Sequence, residues 1–489
     1  MSSVDSDLRG GMASKMKKSI LCIVFLMLAL VRNSESGAGD RTFSPNNFDR
    51  YGGWKEIQGE ANGYFHLQRI NDRWWLITPE GNVFLSVGVN SVHPNGDFAP
   101  ALGYSPYERN IGQKYANIHG WISATLANLR DWGFNTVGGF SLPVYDRTTD
   151  DQAIPYTISL ALGDLGGADW QKGTFPDVFN AAFRDEVAKA VSRICAKARQ
   201  DPYLIGYFTD NELNWDNAIP SMLRLPDNAP GKRAVMKFIR DYYGNDFNKF
   251  KAVWETTAAS FDALGDTKSI QPKKGSELKA KDARDALLRF ITREYFEATA
   301  GAIRSCDKNH LILGVRFLPV TPRLVVEESG HYADVTAVNY YTNKDEDKSK
   351  NYLEWIEEQA AHGMAVADHG WLKEYYELSR RPVLITEFSF KAKDSRLPNK
   401  RGGGLETRVY QTQQERADMY EWYAKRSASK EYIIGYHWFQ YMDQPKEGRF
   451  DGENSNLGLV DIRDTAYSSL IERIRVVNRA IYFIHEGRN

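Results

Sequence analysis

Eight short apolar segments rich in β-branched residues recur along the chain, and stretches with helical periodicity separate them. Strands that alternate with helices form parallel βαβ units, and eight such units predict an α/β fold, a (β/α)8 TIM barrel. A doubly wound open sheet is the alternative, but that fold usually opens with a GxGxxG turn, which does not follow the first segment. The predicted strands are Val83–Val89, Phe134–Val137, Tyr156–Leu160, Leu204–Phe208, Leu311–Val315, Val335–Val338, Val383–Thr386 and Ile433–Trp438.

The other segments are assigned around this barrel. Residues 37–80 include short alternating runs and predict a short N-terminal β element that caps the barrel. Residues 81–489 form the barrel itself, with predicted helices such as Ala286–Ile303 between the strands. The long polar segment 216–281 is predicted to be an insertion after strand four, with helices of its own.

Residues 1–36 are predicted to be a secretory signal peptide, and Met16 is a more natural start than Met1. Lysines precede an unbroken apolar run, Ile20–Val31, and small polar residues follow it, as in export signals. The run is shorter than the roughly 20 residues that span a bilayer comfortably, so we expect no stable membrane insertion. An uncleaved anchor or a buried strand is the alternative. The expected location is secreted or periplasmic.

Charge and cysteine content exclude several classes of function. The 489 residues carry 62 Lys and Arg against 63 Asp and Glu, and this balance does not favour nucleic acid as a partner. Cys195 and Cys306 are the cysteines of the expected mature chain, too few for a disulfide framework. The sequence has no zinc-type Cys/His spacing and no HExxH motif, so we expect neither a metal nor a cofactor.

Two glutamates end opposite strands of the predicted barrel. Catalytic groups of such barrels lie at the carboxyl ends of strands, where strand four runs into Glu212 and strand seven into Glu387. The simpler interpretation of one such residue is an exposed loop charge or an ion pair. Two together supply what glycoside hydrolysis needs, one protonated carboxyl and one ionised carboxylate. The sequence therefore favours a glycoside hydrolase that binds a carbohydrate substrate.

Asn211 directly before Glu212, together with Glu387, resembles the clan A glycoside hydrolases, a superfamily of retaining barrels. The resemblance covers nearly all of the expected mature chain. It implies that Glu212 is the acid/base, that Glu387 is the nucleophile and that Asn211 holds the substrate 2-hydroxyl. It also implies a tyrosine after strand six that bonds the nucleophile; Tyr340 and Tyr341 are both candidates, and Tyr341 is preferred.

Further residues are candidates for contact with the sugar. The resemblance implies that a strand-eight tryptophan, Trp438, forms the sugar platform. Trp215 and Trp371 are either stacking surfaces or core residues. His93, after strand one, either reaches the sugar or is structural. Asn454 lies in a polar loop after strand eight that either hydrogen-bonds a neutral galactoside or closes on itself.

Within clan A, three stretches are similar to the β-agarases of family 50: Trp74–Gly81, Gly206–Glu212 and Gln440–Pro445. Family 50 enzymes usually carry an additional carbohydrate-binding β domain before the barrel, and this chain has only about 45 expected mature residues there (82 − 37). The β-galactosidases of family 42 share the catalytic placement and are the nearest rival.

The resulting hypothesis is a secreted retaining β-glycoside hydrolase that acts on a galactose-containing polysaccharide or its oligosaccharides. An exo-acting β-galactosidase type and a glycan-binding barrel without catalysis are the alternatives. A third is a metal-dependent hydrolase that uses Asp210, Glu212 and Glu387 as ligands.

Overall fold

The computed structural model describes residues 45–142, 153–169, 171–264, 267–342, 370–400 and 408–488. The predicted signal peptide at 1–36 lies outside these ranges, so export stays a prediction. Residues Pro45–Asn47 form a 3-10 turn in the first of two units. The second unit, Phe48–Asn489, carries all the elements described below.

A small antiparallel sheet comes first in this unit. Its strands are β1 Trp54–Gln58, β2 His66–Ile70, β3 Arg73–Ile77 and β4 Asn82–Phe84, in the order β1-β4-β3-β2. The buried Asp49 carboxylate accepts hydrogen bonds from the side chains of Thr78 and Asn82, which fixes the turn between β3 and β4. The predicted N-terminal β element is therefore present, but the predicted first strand, Val83–Val89, is wrong as one strand. Its first two residues belong to this sheet.

Eight parallel strands form a nearly closed barrel. Strands one to five pair in order, strands six to eight pair in order, and the eighth pairs with the first. A parallel bridge between Phe317 and Val338 joins the fifth strand to the sixth. The predicted α/β class with a TIM-like barrel is confirmed, and each predicted strand has a counterpart. The strands are β5 Ser86–Val89, β6 Thr136–Val137, β7 Tyr156–Ser159, β8 Leu204–Asn211, β9 Leu311–Arg316, β10 Thr336–Asn339, β11 Val383–Phe388 and β12 Ile433–Trp438.

Helices surround the strands, and their starts follow ordinary capping rules. The side chain of Asn180 accepts the N–H of Ala182 at the start of α3, and Thr412 accepts the N–H of Glu415 at the start of α10. The helices are α1 Pro106–Lys114, α2 Ile118–Asp131, α3 Ala181–Ala198, α4 Ala218–Arg224, α5 Pro230–Tyr242, α6 Phe247–Val253, α7 Glu277–Cys306, α8 Arg323–Ser329, α9 Gly370–Ser379, α10 Gln413–Ala428 and α11 Ser468–Glu486.

The predicted insertion after strand four is helical, as expected, and contains α4, α5 and α6. A two-stranded ribbon, Trp254–Glu255 with Gln271–Pro272, follows α6. Among the helices in the described part of the chain, none is both long and apolar enough to cross a bilayer.

The small sheet packs at the amino-terminal end of the barrel strands. The Trp74 N–H donates to the carbonyl of Glu431, which directly precedes β12, at 2.7 Å. Helix α11 returns to the same place, where the Tyr482 hydroxyl donates to the Gly52 carbonyl at 3.0 Å and Nε2 of His485 lies 2.9 Å from the Trp74 carbonyl. The sheet thus covers the end of the barrel opposite the carboxyl ends of the strands, where catalytic groups of such barrels lie.

Candidate active site

Glu212 follows directly after β8 and turns its side chain toward strand six of the barrel. Its φ of 50° lies in the left-handed region, which a residue with a side chain adopts at a cost of roughly 1–3 kcal/mol. Its own N–H donates to the carbonyl of Arg316 at 3.0 Å, and Oε1 accepts a 2.7 Å hydrogen bond from Nδ2 of Asn339. Bonds to two neighbouring strands hold this strained residue in one position.

Glu387 lies within β11 and is almost fully buried. Its Oε1 is 2.8 Å from Nη2 of Arg316, and its Oε2 accepts a 2.7 Å hydrogen bond from the Tyr341 hydroxyl. A buried carboxylate that accepts hydrogen bonds from a guanidinium and a hydroxyl is held in one orientation beside a positive charge. An attacking carboxylate requires a fixed position of this kind.

One amide, that of Asn339 at the end of β10, joins the Glu212 carboxylate to the residue that precedes Glu387. Its Nδ2 donates to Glu212 and also to Oδ1 of Asn211, at 3.1 Å. Its Oδ1 accepts the hydroxyl of Thr386, the residue before Glu387, at 2.7 Å. The ends of β8, β10 and β11 are therefore joined by side chains of the site itself.

The two carboxylates occupy different electrostatic environments. Burial and the negative charge of Glu387 raise the pKa of Glu212 to about 7, although the Asn339 amide and the Arg316 charge oppose the shift. Near neutral pH, Glu212 is thus able to carry a proton while Glu387 is paired with Arg316. An acid and an ionised carboxylate side by side are the arrangement needed for acid-assisted glycoside cleavage.

Asp210 does not join this pair. Its carboxylate accepts hydrogen bonds from the Tyr295 hydroxyl of α7 and from the N–H of Gly163, at 2.8 Å for the latter. Burial raises the pKa of Asp210 to about 7. Within the described ranges, no cluster of three or more His, Cys, Asp or Glu side chains is arranged to hold a metal ion. The proposed ligand set of Asp210, Glu212 and Glu387 is therefore wrong.

The structure places the tryptophan candidates in the core. Trp438 is 0% exposed, because alternation along β12 turns it outward, where Phe388 lies edge-on at 5.4 Å and Arg416 of α10 lies 5.1 Å from its ring centre. Trp215 packs among core aromatic rings and is also buried. Trp371 is buried in the first turn of α9. The prediction of Trp438 as a sugar platform is wrong, and Trp215 and Trp371 offer no open ring face.

The side chains of two further candidates are hydrogen-bonded to backbone groups of the protein. The ring of His93 accepts the N–H of Asn95 at 3.1 Å, and burial lowers its pKa. Both ends of the Asn454 amide are used: Oδ1 accepts the N–H of Lys400 at 2.9 Å, and Nδ2 donates to the Lys446 carbonyl at 3.2 Å. These contacts favour the structural alternative for both residues.

Sequence reasoning missed Arg316, Asn339 and His437, which point into the barrel from β9, β10 and β12. Arg316 is fully buried, and His437 is hydrogen-bonded at 2.8 Å to Ser86 of the neighbouring strand β5. Burial and the charge of Arg316 lower the pKa of His437 to about 3, so this ring is neutral. The alternation of side chains along each predicted strand was the signal that could have found them.

Exposed phenylalanines lie on three loops at the carboxyl ends of neighbouring strands. Phe98 follows β5 and is 54% exposed, Phe140 follows β6 and is 44% exposed, and Phe450 follows β12 and is 57% exposed. The ring of Phe140 covers the Arg316 guanidinium at 4.6 Å, which places it directly beside the Glu387 ion pair. We call these three residues the phenylalanine rim.

The loops after β5 and β12 are tied together, and the loop after β12 lies within electrostatic range of Glu212. Nε2 of Gln440 donates to Asp97 at 2.9 Å, beside Phe98, and Arg449 pairs with Glu453 at 2.8 Å, beside Phe450. The charge of Glu453 also contributes to the raised pKa of Glu212. The phenylalanine rim therefore borders the mouth that contains the two carboxylates.

Comparisons with known proteins point to agar-degrading enzymes. No family model matches the chain. It is 25% identical to β-agarase B of Vibrio sp. (strain JT0107) in an alignment 514 positions long, which covers 89% of this chain and 50% of that protein. It is 27% identical to β-agarase A of the same strain in an alignment 479 positions long, which covers 84% of this chain and 45% of that protein. The chain thus spans about half the length of the curated relatives that it matches.

The comparison with solved structures agrees with the comparison of sequences. PfGH50B matches with a TM-score of 0.74 and 26% identity, over 90% of this chain and 69% of that one. The structure of an exo-β-agarase matches with a TM-score of 0.72 and 23% identity, over 93% of this chain and 70% of that one, a likeness that shows the fold alone. The chain is therefore similar in sequence to β-agarases and shares the fold of a solved one.

Proposed function

We propose that this protein is a β-agarase-like glycoside hydrolase of the retaining clan A type. The opposed environments of Glu212 and Glu387 are the observation that carries the proposal. Glu387 attacks the anomeric carbon while Glu212 gives its proton to the leaving oxygen. Glu212 then removes a proton from the water that releases the glycosyl group from Glu387.

The surrounding residues support these roles. Arg316 and Tyr341 orient Glu387 and stabilise its negative charge before attack. Their interactions with Glu387 weaken as the carboxylate loses its charge in forming the new bond. Asn339 donates hydrogen bonds to both Glu212 and Asn211, and the amide of Asn211 bonds the sugar 2-hydroxyl in this mechanism. Each strand end contributes one function, which is how barrels of this type build sites.

The proposed substrate is a galactose-containing polysaccharide or its oligosaccharides. Both curated relatives are named as β-agarases. The phenylalanine rim supports a glycan as ligand, because sugar rings present C–H faces that pack on aromatic rings. We also propose that the protein is exported through residues 1–36, since a polysaccharide of this kind lies outside the cell.

The anomeric configuration of the first product tests this mechanism. Proton NMR during hydrolysis of agar oligosaccharides should show the β-anomer first, followed by slow mutarotation. A first product with the α-configuration would show inversion and overturn the double displacement. A panel of galactan, agar oligosaccharides, porphyran and aryl galactosides separates a β-agarase from an exo-acting β-galactosidase, which would prefer the aryl galactosides.

A further inference from the structure

Tyr295 of α7 contacts the chain on both sides of Glu212. Its hydroxyl donates to Oδ2 of Asp210, two residues before Glu212. Its ring packs edge-on against the ring of Trp215, three residues after Glu212, with 5.4 Å between the ring centres. Tyr295 is fully buried, and Asp210 and Trp215 are buried as well. One core side chain therefore brackets the residue to which the acid/base role is assigned.

The Asp210 carboxylate is held at both of its oxygens. Oδ1 accepts the N–H of Gly163 at 2.8 Å, in the turn that follows β7, while Oδ2 accepts the Tyr295 hydroxyl. That hydroxyl is also hydrogen-bonded to the Thr209 hydroxyl at 3.0 Å. The end of β8 is thus joined both to the turn after the neighbouring strand and to helix α7.

Glu212 needs support on both sides because its backbone is strained. A residue with a side chain keeps a φ of 50° only where the surrounding structure holds it there. Its own hydrogen bonds hold Glu212 itself, whereas Asp210 and Trp215, through Tyr295, hold the chain before and after it. Loss of these contacts lets φ relax, and the carboxyl then turns away from the leaving oxygen that it must reach.

We propose that Asp210 and Tyr295 are positioning residues for the acid/base step. Both are too deeply buried to touch the substrate, so they act through the backbone that carries Glu212. A displacement of about 1 Å can cost on the order of 100-fold in rate even when the reacting groups are intact. This inference rests on the proposed role of Glu212, and it predicts slower proton transfer while Glu387 remains able to attack.

The leaving group of the substrate separates a positioning role from a structural one. A dinitrophenolate is stable enough to depart unprotonated, whereas a sugar alkoxide needs the proton of the acid. Tyr295→Phe removes the hydroxyl and keeps the ring. Its kcat/KM should fall by about 10- to 100-fold on agar oligosaccharides and by less than about threefold on the dinitrophenyl glycoside of the same sugar.

Tyr420→Phe is the matched control. Tyr420 is also fully buried, and its hydroxyl donates to Oδ1 of Asn478 at 2.6 Å, between α10 and α11. This variant loses one buried hydrogen bond, as Tyr295→Phe does, so the two thermal midpoints should fall by similar amounts. The control should keep wild-type kcat/KM on both substrates.

Two further variants complete the experiment. Asp210→Ala removes both anchors of the carboxylate and should show the same contrast between substrates as Tyr295→Phe, with a larger loss on agar oligosaccharides. Glu212→Ala sets the upper limit of this contrast, because it lacks the acid altogether.

Equal losses on the two substrates in Tyr295→Phe would overturn the positioning role, and so would losses no larger than those of Tyr420→Phe. Failure of the proposed function has a different signature. If Glu212→Ala itself showed no dependence on the leaving group, Glu212 would not be the acid, and the positioning role would fall with it. Kinetics on both substrates for all four variants distinguish these outcomes.

Discussion

Nη2 of Arg316 lies 2.8 Å from Oε1 of Glu387, and the same nitrogen donates to the Thr386 carbonyl at 2.9 Å. The guanidinium is fully buried, and the exposed ring of Phe140 covers it. A charge pair buried in this way is costly to break, because removing one partner leaves the other uncompensated.

Arg316→Lys should therefore lower kcat by about 100-fold or more, since the shorter lysine side chain does not bring its ammonium to the position that Nη2 occupies between the Thr386 carbonyl and Glu387. Arg289→Lys, on a part-exposed pair with Glu327 and Glu328, is the matched control and should keep wild-type activity. A wild-type kcat in Arg316→Lys, measured by steady-state kinetics, would contradict the role of Arg316.

Azide rescue distinguishes the roles of the two glutamates. On an activated aryl β-glycoside, Glu387→Ala should be slower by on the order of 10⁴-fold, and azide should restore turnover with an α-glycosyl azide as product. Glu212→Ala should instead accumulate the glycosyl intermediate and give a β-glycosyl azide. NMR of the products assigns each configuration. The opposite pairing of variant and product would reverse the assignment.

The pH dependence follows from the raised pKa of Glu212, about 7. A general acid must hold its proton, so kcat/KM should fall as pH rises through this value. The Asn339 hydrogen bond favours the charged form of Glu212, and Asn339→Ala should therefore shift the basic limb to higher pH. Profiles of wild type and variant check the direction. A shift to lower pH would show that Glu212 is not the group that titrates.

Two phenylalanines of the rim should contribute to binding of the polymer and little to the chemical step. Phe98→Ala and Phe450→Ala should each raise KM for agar oligosaccharides by about 3- to 10-fold, the value of one aromatic contact. Their kcat on a small aryl glycoside should stay the same. Leu278→Ala is the control, an 80% exposed apolar residue at the start of α7. Equal effects of Phe98→Ala and Leu278→Ala on KM would remove the rim from the binding site.

Trp438 should behave as a core residue. Trp438→Ala should reduce the free energy of unfolding by about 3–5 kcal/mol, because it leaves a cavity between β12 and α10. Trp438→Phe should lower stability less and keep KM within about twofold of wild type. Thermal unfolding and steady-state kinetics on the same preparations separate the two effects. A tenfold rise in KM for Trp438→Phe at unchanged stability would restore it as a sugar platform.

The eight strands could be predicted because each is a short apolar run buried on both sides, and this pattern is visible without knowing the register. The ends of β8 and β11 located Glu212 and Glu387 by the same reasoning. The first strand was wrong because the chain changes sheets at Leu85, inside an unbroken apolar run that gives no sign of a boundary.

To predict which side chains surround the two carboxylates, one must know which side of each strand faces the barrel axis. Along β12 this alternation selects His437 and excludes Trp438, although the resemblance to clan A suggested Trp438. Arg316 was missed because a charge at a strand end resembles a solvent-exposed residue until its partner is known. Only the three-dimensional neighbours show that it is the counter-charge of Glu387.

Helix α11 packs against the small amino-terminal sheet, and this contact has a consequence for biosynthesis. Trp74 and Gly52 are among the first described residues to leave the ribosome, but their partners His485 and Tyr482 are among the last. The barrel likewise needs β12 to pair with β5. An emerging chain therefore carries uncovered tryptophans until α11 has been synthesised, and truncation of the last turn of α11 should leave the protein insoluble.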